Sequence, residues 1–365
     1  MKIAILHDWL NQKVGGAESV LIKLSKMYPD ADIYTIVYNK KKFEGLLEEK
    51  RIYTSYLQKM PSFIKRRPKL LLPLIKKAIQ KWDLSGYDLV ISSSSAWVKN
   101  ANIPNSARHV CYCYSPARML WDSWPKYMYD LNIGPLGRLY VTSLASKLRL
   151  WDYYQSQKNI EFIAISEHVK NRIAKFYHKD SKVVYPPVSM PTQADNKNQK
   201  RDYYLIISVL SKYKNIELAV RAFKDSGKNL IIAGDGPDMK RLKKMAEGFE
   251  NIIFLGRVDN SHKDKLLNEA KAFIFCNIED FGITMVESIS LGTGVIALRG
   301  GGAQEIVIDN KTGIFYDHTN EESLNRAIVK YEKNIDFKSV NGEYTKNKFS
   351  EEKFEEHFRG VIDAK

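Results

Sequence analysis

Two carboxylates, Glu279 and Glu287, stand in the stretch Ala272-Phe-Ile-Phe-Cys-Asn-Ile-Glu279-Asp280-Phe281-Gly282-Ile283-Thr284-Met-Val-Glu287-Ser288. The apolar, aromatic-rich run reads as a strand, a glycine-containing loop follows, and a helical pattern opens near Thr284. Glu279 therefore belongs to a loop at the carboxyl end of a strand, where open α/β sheets hold ligands, and Glu287 to the first turn of the helix behind it. Between them lie the backbone N–H groups of Gly282, Ile283 and Thr284, and a helix start of this kind attracts anions such as phosphate. A carboxylate one turn in accepts hydrogen bonds from vicinal hydroxyls. Phosphate and diol together are what a sugar nucleotide presents. The spacing Thr284-x-x-Glu287 also fits a capping box, in which Glu287 returns to the cap's own N–H and needs no ligand. From these residues alone both readings stay open.

The elements that must position the pair occur twice along the chain. Lys2-Ile-Ala-Ile-Leu6 runs into His7-Asp8, then Gly15-Gly16-Ala17-Glu18, then a helical pattern over Ser19–Met27. Strand, glycine turn and helix open many nucleotide-binding α/β units. Further strands are expected at Ile33–Val37, Leu89–Ser92, His109–Tyr114 and Glu161–Ile165. Ser189–Asp202 is polar, proline-containing and aperiodic, which marks a linker. Beyond it, strands at Tyr203–Ser208, Asn229–Ala233, Asn251–Leu255 and Gly294–Ala297 flank the acidic pair and again alternate with helical segments. Such alternation builds parallel sheets in open α/β layers. At 365 residues the chain exceeds what one hydrophobic core organises, so two domains are expected.

Glu-x7-Glu after an apolar strand, with Phe281-Gly282 behind the first acid, resembles the donor-site motif of retaining GT-B glycosyltransferases of family 4, and the resemblance extends over most of the chain. It implies an α/β GT-B fold, two doubly wound Rossmann-like domains facing a cleft. The acceptor-side domain would span 1–188, the linker 189–202 and the nucleotide-sugar domain 203–345, with a terminal helix over 346–365 returning to the first domain. It also implies roles. Glu279 would be catalytic, holding the transferring sugar and steadying positive charge at its anomeric region, while Glu287 would take the ribose. The diphosphate would lie over Gly15, Gly16, Lys214 and the amides of Gly282, Ile283 and Thr284, with Arg257 and Val258 also on the donor side. Tyr204-Leu-Ile-Ile-Ser208-Val209-Leu210-Ser211-Lys212-Tyr213-Lys214 resembles the strand-end motif in which an Arg and then a Lys grip the donor phosphates. Lys214 matches the lysine. Val209 replaces the arginine, so Lys212 or Arg257 is expected to supply the missing cation, unless the diphosphate relies more on Lys214, Gly15 and Gly16.

Arg108-His-Val-Cys-Tyr-Cys-Tyr114-Ser-Pro-Ala-Arg118-Met-Leu-Trp121-Asp122 resembles the acceptor-side motif of a bacterial polysaccharide mannosyltransferase subgroup. There a His is common where this chain has Tyr114. Arg118, Trp121 and Asp122 fit either an acceptor-sugar lining or a buried structural corner. The subgroup implies GDP-mannose as donor and a lipid-linked saccharide as acceptor. A UDP-sugar donor, or a sugar-nucleotide-binding subunit without catalysis, remains open because Val209 and Tyr114 depart from the pattern.

A net charge of +15 and a pI near 9.4 call for an anionic partner. Lys59–Trp82 holds no acid and interleaves Lys65, Arg66, Arg67, Lys69, Lys76, Lys77 and Lys81 with large apolar residues. That composition suits an anionic membrane surface, and equally a helix packed on the core with a solvated basic face. Nucleic acid is disfavoured, for the chain shows no RNP-like aromatics, helix-turn-helix or zinc-finger spacing. With no run of about 18 apolar residues and no signal-peptide pattern, the expected location is cytoplasmic, peripheral to the inner face of the plasma membrane. Gly234-x-Gly236 lacks the third glycine of the dinucleotide fingerprint, Met239 standing in its place, and Asp30-Ala-Asp32 precedes a strand instead of closing one. No metal or cofactor is expected; cations and helix dipoles would neutralise the leaving diphosphate.

Overall fold

The computed structural model describes all residues except 12–14, 48–49, 66–67, 123, 125–127, 129–133, 191–201, 335–341 and 365. Arg66, Arg67 and most of the expected linker 189–202 therefore lie outside the described residues. The chain forms two compact units, Met1–Pro187 with Phe354–Lys365, and Val188–Lys353.

In the first unit, β1 (Ile3–His7), α1 (Gly16–Met27), β2 (Asp32–Thr35), β3 (Ile52–Thr54), α2 (Pro68–Gln80), β4 (Leu89–Ser94), β5 (Arg108–Cys113), α3 (Pro135–Ser156), β6 (Glu161–Ala164), α4 (Glu167–Tyr177) and β7 (Ser181–Val183) follow in chain order. The strands pair in parallel in the order β3-β2-β1-β4-β5-β6-β7. β4 is buried throughout and β5 nearly so, as strands covered by helices on both faces must be. The order reverses between β1 and β4, and such switch points are where open sheets leave a crevice. His7 and Ser93 sit side by side there. Asp32 opens β2 and its carboxylate is held by Tyr87 at 2.6 Å and Arg51 at 2.7 Å, so the Asp30-Ala-Asp32 segment is used internally.

The basic segment packs by its apolar side. Leu71, Ile75, Ala78, Ile79 and Trp82 are buried in the same cluster as Leu148 and Trp151 of α3, leaving Lys76, Lys77 and Lys81 outward. What α2 offers a bilayer is chiefly charge, because Leu71, Ile75, Ala78 and Ile79 already face the core.

The second unit repeats the pattern with β8 (Tyr204–Ile207), α5 (Ile216–Ser226), β9 (Leu230–Ala233), β10 (Ile252–Gly256), α6 (Asn260–Glu269), β11 (Ala272–Phe275), α7 (Ile283–Ser290), β12 (Val295–Leu298), β13 (Gly313–Tyr316) and α8 (Glu321–Asn334). Its parallel sheet runs β10-β9-β8-β11-β12-β13, with the switch point between β8 and β11. A last helix, α9 (Glu351–Asp363), brings Phe354 and Phe358 to 5.6 and 5.9 Å from the Tyr112 ring of β5, and Glu355 to 3.0 Å from Lys23 of α1.

One buried group ties the first unit to pH. His109 of β5 bonds Ser92 through Nε2 at 2.8 Å, and burial, reinforced by Lys158 and Lys99, pulls its imidazole down to about 3. The unfolded imidazole titrates near 6.5, so below that pH the unfolded chain takes up a proton that the folded chain refuses until about pH 3. Stability is full above pH 6.5 and is lost as pH falls towards 3. At pH 5 the deficit from His109 should reach about 2 kcal/mol. All six tryptophans precede residue 152, so tryptophan fluorescence in urea reports this unit. His109→Gln should flatten the loss between pH 7.5 and 5 by about that amount; parallel pH profiles for parent and variant would contradict the assignment.

Candidate active site

The apolar strand β11 ends at Phe275, and the chain then runs through buried Cys276 and Asn277 to Glu279. The Glu279 carboxylate forms an ion pair with Lys214 and accepts the Asn277 amide at 3.2 Å. Lys214 ends the short 3-10 turn Lys212–Lys214 that follows β8, so the two partners come from the two strands flanking the switch point. Asn215, left-handed at φ 53°, turns the chain from that 3-10 segment into α5 and reaches the Cys276 carbonyl at 3.5 Å.

The loop carrying Glu279 is clamped from behind by glycines. Gly302 N–H donates to the Glu279 carbonyl at 2.9 Å. A Cβ on Gly301, whose φ is +58°, would come within 2.2 Å of that carbonyl, and one on Gly302 within 2.2 Å of the Phe281 carbonyl. Only glycine permits backbone to approach backbone this closely. The Gly234-x-Gly236 pair works in the same way against β8: a Cβ at either position would strike the carbonyl of Ser208 or Leu210, and Leu210 N–H bonds Asp235 O at 3.0 Å. These glycines shape the carboxyl end of the central strands and carry no dinucleotide fingerprint.

Glu287 is not a capping-box residue. Helix α7 begins at Ile283 with Gly282 as its cap, at φ 114° and without any side-chain bond, one residue earlier than the pattern suggested. Glu287 is thus the fifth helical residue, in the second turn, and its carboxylate takes Lys263 Nζ of α6 at 2.5 Å. Lys263 escaped the sequence reading. The one local signal is Asp259, which caps α6 by accepting His262 N–H at 2.8 Å and so sets Lys263 one turn in. Met285 N–H turns back to Gly282 O at 3.0 Å. The N–H groups of Ile283 and Thr284, in the first turn, have no acceptor within the helix.

Of the remaining donor-side residues, Arg257 stands exposed beyond β10 with Asp235 at 3.4 Å, and Val258 follows it half-buried. Lys212 is exposed, and Val209 is 58% exposed where the arginine was expected. Gly234 N–H bonds Gly256 O at 2.6 Å, which sets the loop bearing Arg257 beside the Gly234–Gly236 loop that packs on Ser208 and Leu210.

In the first unit, Gly15 caps α1 and its N–H is held by Glu18 at 2.9 Å, so Gly16 opens the helix. Asp8, just past β1, accepts the N–H groups of Ser95, Ala96, Trp97 and Val98 and the Ser95 hydroxyl at 2.6–2.9 Å, fixing the loop after β4. Beside it runs a chain of hydrogen bonds. Tyr114 donates its one hydroxyl proton to the Ala17 carbonyl at 3.0 Å, so Ser93 must donate to Tyr114 at 2.8 Å and accept from His7 Nδ1 at 3.0 Å. His7 is therefore protonated on Nδ1, and burial lowers its pKa against the opposing pull of Glu18 and Asp8.

Arg118, Trp121 and Asp122 share the loop after β5. Trp121 donates to the buried Asp152 at 3.0 Å and stacks on Phe176 at 5.1 Å, with the Arg149 guanidinium 5.8 Å from its ring. Asp122 accepts Arg172 at 2.8 Å, and Arg172 also donates to Ser115 at 2.6 Å. Arg118 is half-buried. Trp121 and Asp122 thus anchor the corner that carries Arg118.

Residues 192–348 match the family model of glycosyl transferases group 1. An uncharacterized glycosyltransferase of Methanocaldococcus jannaschii is 28% identical over 212 residues, 53% of this chain and 54% of that relative, so the match spans about half the relative's length. The alpha-1,3/1,6-mannosyltransferase of Kluyveromyces lactis is 25% identical over 447 residues, covering 99% of this chain and 84% of that protein. Among solved structures, the Anabaena protein HepE in complex with UDP and glucose superposes with a TM-score of 0.70 at 17% identity, over 99% of this chain and 100% of that one. The fold is GT-B.

Proposed function

We propose that this GT-B chain is a retaining, metal-independent hexosyltransferase of family 4 that moves mannose from GDP-mannose to a lipid-linked glycan in bacterial polysaccharide or lipopolysaccharide synthesis, at an anionic membrane surface. The observation that carries it is the Lys214–Glu279–Asn277 group at the β8/β11 switch point, clamped by Gly301 and Gly302. Support for mannose comes from the likeness, over 99% of this chain, to a mannosyltransferase. In this reading Glu279 holds the transferring sugar and steadies positive charge as the leaving diphosphate departs. Lys214, next to it, meets the charge on that diphosphate, helped by Arg257 and the first amides of α7. Attack from the leaving-group face retains configuration, and the departing phosphate accepts the acceptor's proton. Glu287 exchanges Lys263 for the ribose hydroxyls.

Two measurements test the reading. A donor that binds the folded state alone raises the melting temperature by mass action, so GDP-mannose should do so more than UDP-glucose or UDP-galactose. Stabilisation by UDP-sugars alone would change the base and keep the reaction class; stabilisation by none would remove the donor site. Glu287→Ala should raise the donor KM by roughly ten-fold with kcat little changed, because ribose contacts are made equally in ground and transition states. A melting shift with unaltered donor affinity would leave Glu287 a partner of Lys263 and nothing more.

A further inference from the structure

Helix α3 carries two apolar faces. Ala145, Leu148 and Trp151 are buried against the first unit's core. On the opposite side Leu136, Leu139, Tyr140, Leu150 and Tyr154 are 84, 70, 61, 58 and 66% exposed. At 3.6 residues per turn these five, with Ser143 and Lys147, fall within a stripe roughly 100° wide. A largely apolar stripe on a surface helix, broken here by Ser143 and Lys147, marks something it lies against.

The charges that α3 and α2 expose among the described residues have one sign. Lys147 is exposed within the stripe of α3, whose single acid, Asp152, is fully buried. The neighbouring α2 has no acid in its sequence and turns Lys76 and Lys77 outward, with Lys81 just beyond. The two helices touch: Lys76 Nζ lies 5.7 Å from the centre of the Trp151 ring. A second copy of the chain meeting this face symmetrically would set like charges against each other. An anionic bilayer complements it, taking leucines at the acyl boundary, tyrosines at the headgroups and lysines at the phosphates.

The geometry points to the exposed stripe of α3, with Lys147 within it and Lys77 and Lys81 of the neighbouring α2 beside it, as the surface that docks this protein on anionic lipid. The inference rests on the lipid-linked acceptor proposed above, and assigns the docking to α3 in place of the apolar side of α2. The probe is sedimentation with vesicles of phosphatidylcholine carrying about a third phosphatidylglycerol, against pure phosphatidylcholine. Leu136→Ser/Leu139→Ser/Tyr140→Ser should lower partitioning into the anionic vesicles by about ten-fold or more. Its tryptophan-monitored urea midpoint and its donor-induced melting shift should stay those of the parent. Lys77→Glu/Lys81→Glu/Lys147→Glu should lower anionic partitioning and abolish its dependence on salt. Unchanged partitioning of the leucine–tyrosine triple would overturn the assignment. So would a parent dimer that this triple converts to monomer, since the stripe would then be closed by a second copy. If the parent binds vesicles through this face while no nucleotide sugar shifts its melting, the surface stands and the transferase reading falls.

Discussion

Replacing Glu279 by Gln is expected to lower kcat by about 100-fold or more, roughly 2.7 kcal/mol of transition-state stabilisation, while the donor KM stays level or falls. The direction of the KM change follows from the ion pair. Glu279 holds Lys214, and both side chains are largely shielded from solvent. Removing the carboxylate's charge releases the lysine towards an incoming diphosphate, so ground-state binding does not suffer. What is lost is the negative charge facing the anomeric region as it becomes positive, an interaction that grows only towards the transition state. Gln preserves the shape and can still meet Asn277, so the loop held by Gly301 and Gly302 should keep its conformation. The measurement is a donor titration of initial rates beside a thermal melt. A rise in KM with kcat preserved would mean that Glu279 serves only to orient Lys214, and the catalytic carboxylate would have to be sought elsewhere.

The fold was legible because buried parallel strands announce themselves. Leu89–Ser92, His109–Tyr114 and Ala272–Phe275 are apolar or β-branched runs bounded by polar turns, and each forms a central strand. The strands that were missed are β3, β7 and β13, all at or next to sheet margins. Ile52–Thr54 and Ser181–Val183 have three residues each, too few for a period of two to show, and both lie among charged neighbours. β13 opens on Gly313, a residue that reads as a turn; its lack of a Cβ is required because one would meet the Val295 carbonyl at 2.1 Å. In the candidate site, Glu279 and Lys214 could be named because each follows a recognisable strand in a segment that resembles a family motif. Lys263 could not, for its link to Glu287 joins two helices 24 positions apart in sequence and exists only once they pack. The capping-box reading of Thr284 failed for a local reason: Gly282 takes the positive φ and becomes the cap, two residues before Thr284, which moves Glu287 out of reach of the cap.

Asp152→Asn should destabilise the first unit by about 3–5 kcal/mol, the range for stranding a buried charge. The carboxylate has no solvent exposure and accepts four donors: Lys99 Nζ at 2.7 Å, Asn100 at 2.8 Å, Trp121 at 3.0 Å and Tyr177 at 2.7 Å. Lys99 is equally buried, and although burial alone would pull its amine down, Asp152 more than offsets this and holds it above the ordinary lysine value. The introduced amide would still accept from Trp121 or Tyr177 but would leave the ammonium unbalanced, so the lysine should give up its proton within the folded variant. Its folded pKa then lies below the unfolded one, and the variant should regain stability as pH rises towards about 10, where the unfolded lysine also deprotonates. The decisive comparison is a double-mutant cycle read by tryptophan fluorescence in urea. In a Lys99→Met background Asp152→Asn should cost less than about half of what it costs in the parent, because no cation remains to be stranded. Equal penalties in both backgrounds would show that the network's worth lies in the Trp121 and Tyr177 bonds and not in the ion pair. Either way the corner carrying Arg118, which the sequence resemblance assigns to the acceptor, should report the change. Trp121 is tied to Asp152, Asp122 to Arg172, and a loosened Trp121 frees the segment carrying Arg118, so acceptor KM should rise in the same variant at temperatures where it remains folded.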